Sequence, residues 1–370
     1  MLSARELPRL RKNLLAWFYQ FQRDLPWRRT KDPYRIWLSE IMLQQTRVAA
    51  AIPYYNRFLE HFPTIQSLAE APPQEVLRLW AGLGYYSRAR HLQEAARQIV
   101  AKHHGHFPSD PADVLALAGI GDYTAAAILS IAYGNSVAVL DGNVARVIAR
   151  LDAIHGDLRV TATWKKLQST ADHLLATGAP GDWNQSMMEL GATLCTARSP
   201  QCLLCPISEF CQARKLGLAD VIPEKRKKCD TVDIILASAV FLDPQGHTFL
   251  LPAPKANTQS ASAQSDISNL LSRMWHFPTI QVHSNPLAEL RAHLQQLLPR
   301  LHPTSLHITP LKKARHAVTY RNISIHPFLI NVKKLPLIPT AETFSLTDLS
   351  SVPISNLTRK VARAALSSQS

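Results

Sequence analysis

The chain of 370 residues predicts two bodies of different class, a mainly helical N-terminal part and an α+β C-terminal part. Three observations predict this. Apolar residues recur at helical spacing up to about residue 222, the pattern of amphipathic helices. Beyond it, β-branched and alternating runs take over, which favour strands. Between the two, four cysteines fall at Cys195, Cys202, Cys205 and Cys211 in the pattern C-x6-C-x2-C-x5-C.

The elements follow in order. Leu7, Leu10, Leu14, Trp17 and Phe18 share one side of an opening amphipathic helix whose other positions mix Arg and Glu. No small-residue cleavage site follows it, so it is not read as a signal peptide. No uncharged apolar run is long enough to span a bilayer, and a reducing cytoplasm is the expected compartment. About ten helices are predicted before residue 222, punctuated at Pro63, Pro72–Pro73, Gly82–Gly84, Pro108 and Gly119. Ile222 to Cys229 is a Pro-marked basic connector. After it come strands over Val232–Leu242, Leu306–Thr309 and Ile323–Ile330, with a helix from about Leu287 to Leu298 and a Ser/Gln/Ala-rich loop over 256–268. The predicted domains are therefore 1–221, a linker over 222–230, and 231–370.

Lys and Arg outnumber Asp and Glu by 41 to 27, a formal charge of +14. A charge that large favours a polyanionic partner, nucleic acid first. The four clustered cysteines suit tetrahedral zinc or an iron–sulfur cluster. A disulfide framework is disfavoured, since Cys229 is the one other cysteine and such frameworks spread their cysteines along a chain.

Two carboxylates stand out in the helical part. Glu40 lies among Trp37, Ile41 and Leu43, a setting that desolvates an acid and raises its pKa. The same spacing also fits a structural hydrogen-bonding acid. Asp141 ends the apolar run from Val137, just before Gly142 and a helix bearing Arg146 and Arg150; an ordinary helix N-cap is the plain reading there, and it is compatible with a chemical role. Leu117 to Thr124 contains Gly119-Ile-Gly121 between two helical stretches, a turn that exposes backbone N–H groups to a phosphate. Gln44 and Gln45 end the Glu40 helix, where they suit either base edges or plain solvent.

These motifs together, Trp37 to Thr46, Gly82 to Tyr86, Gly119–Gly121, Leu140 to Asn143 and the cysteine loop, resemble the MutY-type adenine DNA glycosylases of the helix–hairpin–helix, endonuclease III-like superfamily. The resemblance runs from about Leu25 to Cys211 and more loosely through the tail. It implies a helix–hairpin–helix glycosylase domain with a [4Fe–4S] loop held by the four cysteines, followed by an α+β, Nudix-like (MutT-like) domain. It implies removal of adenine paired with 8-oxoguanine or guanine in double-stranded DNA, after the base is flipped from the stack. Glu40 would protonate the leaving base at N7 and Asp141 would stabilise the oxocarbenium-like sugar, the two-carboxylate logic of glycosidases. Tyr123 and Asn143 match positions bonded around these acids. Trp27, Arg28 and Gln185 match the adenine pocket, and Gln45 and Tyr85 match residues that enter the stack. A monomer acting on nucleoid DNA, with no membrane association, is expected.

Two alternatives are weighed against this. An endonuclease III-like glycosylase/lyase carries a Schiff-base lysine two residues after the second hairpin glycine, where this chain has Tyr123. A non-catalytic, cluster-bearing DNA-binding protein would have lost one of the carboxylates, and both are present. In the tail, Met274 to Pro278 occupies the place of the family's Leu-Trp-x-Phe-Pro segment, but the hydrolytic Nudix run is missing, so recognition without hydrolysis is expected. Thr319, in Val318-Thr-Tyr320, stands where the family's Phe-Ser-His probes 8-oxoguanine.

Overall fold

The computed structural model describes residues 5–158, 160–224, 231–252, 274–299, 306–318, 320–349, 352 and 354–368. Contacts divide the chain into two units. The first gathers Met1–Val76 and Ser87–Lys227; the second gathers Lys228–Ser370 and also Leu77–Tyr86, a segment the sequence reading assigned to the helical part. The Ser/Gln/Ala-rich loop 256–268, Thr319, Cys229 and most of the basic connector lie outside the described residues.

The first unit is helical, with α1 Glu6–Phe21, α2 Pro33–Leu43, α3 Val48–His61, α4 Ile65–Glu70, α6 Ser87–His103, α7 Pro111–Leu115, α8 Asp122–Tyr133, α9 Gly142–Leu151, α10 Thr161–Leu174, α11 Pro180–Thr193 and α12 Gln212–Lys215. Helix α5, Pro73–Trp80, runs from the first unit into the second. Sequence signals set several of these ends. Asp32 caps α2 by accepting from the Tyr34 N–H with Pro33 at the first helical position, and Asp110 and Pro111 do the same for α7; proline is tolerated there because that N–H has no intrahelical partner. Thr64 and Ser67 form a reciprocal capping box at α4.

The expected apolar face of α1 is buried through Leu10, Leu14 and Phe18. Leu10 and Leu14 join Val144, Ile148 and Leu151 of α9 and Trp183, Met187 and Leu190 of α11 in one core, against which Cys195, Cys205 and Cys211 are packed. Each fully buried Leu or Ile there contributes roughly 1.5–3 kcal/mol. Helices α9 and α11 pack tightly because α11 carries a glycine at the contact: a Cβ at Gly191 would meet the Asn143 Cβ at 2.8 Å.

The second unit is α+β. Its strands are β1 Val232–Leu242, β2 His247–Leu250, β3 Thr279–Gln281, β4 Ile308–Pro310, β5 Ala314–Val318, β6 Arg321–Asn331 and β7 Glu342–Ser345, with helices α13 Pro286–Leu297 and α14 Asn356–Leu366. One sheet runs β3-β1-β6-β4 with β5 also on β6, and β2 pairs with β7. The long central pair β1–β6 is parallel, in register from Val232 with Arg321 to Leu242 with Asn331. Period-two alternation explains why β1 is apolar on both faces. Ile234, Leu236, Val240 and Leu242 enter a core with Leu357 and Val361 of α14. Ala237, Ala239 and Phe241 enter another with Leu290 and Leu294 of α13. The sheet is thus covered on both sides, the layered α+β arrangement the sequence implies.

Candidate catalytic cavity and cysteine centre

A cavity of about 550 Å³ in the helical unit is lined by Trp27, Arg28, Glu40, Gln45, Tyr123, Asp141, Asn143 and Gln185. Eight of the residues singled out from the sequence therefore meet at one place, drawn from segments far apart in the chain. The volume is in the range of small-molecule sites.

Glu40 projects from α2, where it is 6% exposed beside fully buried Trp37 and Leu38. Burial pushes its pKa up to about 7, raised further by the charge of Asp141 and opposed by the Tyr123 hydrogen bond and by Arg28. Tyr123, in the first turn of α8, donates its hydroxyl to Glu40 Oε2 at 2.6 Å. Burial, then the neighbouring Glu40, holds the phenol well above its usual range, so it stays a donor. The acid can thus hold its proton close to neutral pH, with one oxygen already occupied.

Asp141 serves as the N-cap of α9, accepting from the Val144 N–H at 2.7 Å through Oδ1. Its Oδ2 accepts from Asn143 Nδ2 at 3.1 Å. Burial raises the Asp141 pKa, while these donors and the charge of Arg146 favour the carboxylate. The cap and the cavity role coexist, because the cap leaves the group facing the space that Glu40 also lines. Asn143 is itself held: Arg146 Nη2 donates to its Oδ1 at 2.9 Å and to the Gly191 carbonyl at 2.7 Å.

Trp27 and Arg28 sit on a short 3-10 turn, Pro26–Arg28, with Trp27 edge-on to Tyr55 at 5.3 Å. Gln45 follows the end of α2 with φ of 55°, a left-handed conformation that non-glycine residues rarely adopt. Lining residues that were not anticipated include Arg23, Met188 and Glu189. The signal for Glu189 lay one helical turn beyond Gln185, since residues four apart share a helix face.

The hairpin glycines are outside this cavity, between α7 and α8. Gly119 has φ of 75°, and a Cβ there would come within 2.6 Å of the His91 Cβ, so the position requires glycine. Gly121 caps α8 with extended backbone and open space where a side chain would stand. Tyr85 belongs to the second unit, half exposed in a left-handed conformation with φ of 49°.

The four cysteines are free thiols that line one small cavity beside Arg150. Arg150 Nη1 lies 3.2 Å from Cys195 Sγ and donates to the Thr196 carbonyl at 2.7 Å. Arg146 Nε donates to the Cys195 carbonyl at 2.8 Å. Among the described residues, no group of His, Cys, Asp or Glu gathers around a single ion position. Four thiols lining one shared space supply the donor set that an iron–sulfur cluster takes. Burial pushes the Cys205 thiol up to about 12, so iron must displace the proton for the thiolate to form.

Residues 38–173 match the HhH-GPD superfamily of base excision DNA repair proteins, and residues 195–211 match the iron-sulfur binding domain of endonuclease III. The mouse protein named adenine DNA glycosylase is 33% identical over 400 residues, which takes in 95% of this chain and 77% of the mouse protein. This chain belongs to the adenine DNA glycosylase family. The human member is 38% identical over 79% of this chain, which spans 61% of the human protein's length. Among solved structures, a thermostable thymine-DNA glycosylase is 29% identical with a TM-score of 0.53, covering 57% of this chain and 98% of its own. As a family member with the endonuclease III-type domain, the chain carries a [4Fe–4S] cluster, which Cys195, Cys202, Cys205 and Cys211 would hold as a support for the surrounding loop. No helix of the described residues is long and apolar enough to cross a membrane.

Proposed function

We propose that this chain is a monofunctional DNA glycosylase of base-excision repair, removing adenine paired with 8-oxoguanine or guanine in duplex DNA. The observation that carries the reading is the pair of unlike carboxylates on one cavity: Glu40 buried and raised to about 7, Asp141 held by the N–H donors of Val144 and Asn143. A flipped adenine entering this space would meet Glu40 as a general acid for N7, turning the base into a better leaving group. Asp141, whose carboxylate form the Val144 and Asn143 N–H groups favour against burial, would stabilise positive charge developing on the sugar. Tyr123 and Asn143 orient the two acids, and Trp27, Arg28 and Gln185 supply the walls. Gly119 and Gly121 would present backbone N–H groups to a phosphate. Gln45 and Tyr85 are the side chains proposed to hold the duplex open, and Thr319 the contact to the opposite base.

The lyase alternative is disfavoured by Tyr123, whose hydroxyl is committed to Glu40, and by a cavity lined with no lysine among the described residues. Glu40→Gln tests the proposal. General-acid catalysis is worth roughly 10²–10⁴-fold, so the variant should lose that factor in single-turnover excision while still binding the mispair. Near-normal turnover would remove Glu40 from the role.

A further inference from the structure

Four donors converge on Glu189, which is buried on the cavity wall. Arg23 donates through its backbone N at 3.1 Å and through Nε and Nη2, both at 2.7 Å. Arg28 donates through Nη2 at 2.7 Å. The two cations differ in setting: the Arg23 side chain is 39% exposed and Arg28 11%, against 1% for Glu189. Water screens the first charge, whereas the second is left to Glu189. Arg28 is otherwise held by the Arg23 carbonyl at 3.1 Å and stands over the Phe18 ring at 5.3 Å.

A guanidinium has donors and no acceptor. Without Glu189, Arg28 would turn to the nearest remaining carboxylates, and those lining the cavity are Glu40 and Asp141. A cation moved toward Glu40 favours its ionised form and removes the proton the proposed chemistry requires. We propose that Glu189 is a positioning residue that fixes Arg28 on the wall of the base pocket and balances its charge, so that a donor group faces the base while Glu40 keeps its proton. The inference rests on the reading of this cavity as an adenine site.

The groups facing Glu40 are Tyr123 from α8, Asp141 at the start of α9 and Arg28 from the 3-10 turn; those facing Glu189 are Arg23 and Arg28. The test is single-turnover excision of adenine by the full chain with its cluster, measured across the alkaline limb for wild type, Glu189→Gln and Glu189→Asp. Losing the charge at 189 leaves Arg28 uncompensated, lowers the Glu40 pKa and moves the alkaline limb down by about one pH unit. At a pH above both limbs this is a loss of roughly tenfold. Glu189→Asp keeps the charge and should keep the limb. In the Glu189→Gln background, Arg28→Gln removes the cation as well and should return the limb to its wild-type position or above, a result that also serves if the single Gln variant folds poorly. A uniform drop in rate with the limb unmoved would reduce Glu189 to a structural role and overturn the inference, as would a limb that stays shifted in the double variant. Absence of adenine release by the wild type would instead refute the reading of the site, and this inference with it.

Discussion

Glu40 carries a cost to folding that follows from the same burial that suits it to the proposed acid chemistry. Its carboxyl titrates at about 7 in the folded chain against an ordinary value of 4.5, so the native state binds the proton more tightly than the unfolded one. Stability from this group is therefore greatest at low pH and is lost as pH rises from about 4.5 to 7, by up to about 3 kcal/mol. Glu40→Gln keeps an acceptor for Tyr123 and has no charge to bury. It should melt a few degrees higher than wild type at pH 8 and no higher at pH 5, a comparison that scanning calorimetry at the two pH values makes directly. Equal melting shifts at both would show that the acid is not desolvated. Glu189 has the opposite sign: burial alone would raise it, but the hydrogen bonds from Arg23 and Arg28 prevail and hold it at about 2. Its contribution is present above pH 4.5 and lost as pH falls toward 2. Glu40 was legible in the sequence because apolar neighbours surround it locally, whereas Glu189 depends on two arginines more than 160 positions away, which no local window contains.

At the scale of elements, helix α2 positions both Glu40 and the glutamines after it, and its C-terminal end is closed by a side chain from elsewhere. Arg88 of α6 donates through Nη1 to the carbonyls of Ile41 at 2.8 Å, Met42 at 3.1 Å and Gln44 at 2.5 Å. These are carbonyls a helix end leaves without intrahelical partners, and α2 has no basic residue of its own in its last turn. Arg88→Ala should fray this end, increasing amide exchange over residues 43–46 and weakening mispair binding by roughly tenfold, as expected for lost charge-assisted bonds. Unchanged exchange there would mean the turn is held by other contacts. The sequence announced several elements well: a helix was expected from about Leu287 to Leu298 and α13 occupies Pro286–Leu297, and β1 has the expected bounds Val232–Leu242. Short strands such as β3 and β7, of three and four residues, were missed because so brief a run carries little periodicity. The long-range cap by Arg88 was invisible for the same reason as the arginines that hold Glu189.

Across the whole molecule, two cores are built by different rules, helix on helix in the first unit and helices on both faces of a sheet in the second. The segment Leu77–Tyr86 groups with the second unit, where the Tyr86 hydroxyl lies 3.2 Å from the Ile354 carbonyl and accepts from the Gly82 N–H at 3.3 Å. This grouping crosses the boundary read from composition, because the chain leaves the helical unit and returns to it within ten residues. The formal charge of +14 suits a polyanion, and the two carboxylates on the cavity are the groups proposed to act on it. Those carboxylates are proposed to release adenine without cutting the strand. The most direct measurement is single-turnover excision on duplexes bearing adenine opposite 8-oxoguanine, guanine or thymine, and on thymine glycol, each with and without alkali. Adenine loss opposite 8-oxoguanine and guanine is expected, with strand breaks appearing only after alkali. Direct nicking at thymine glycol, or no excision from any duplex, would contradict it.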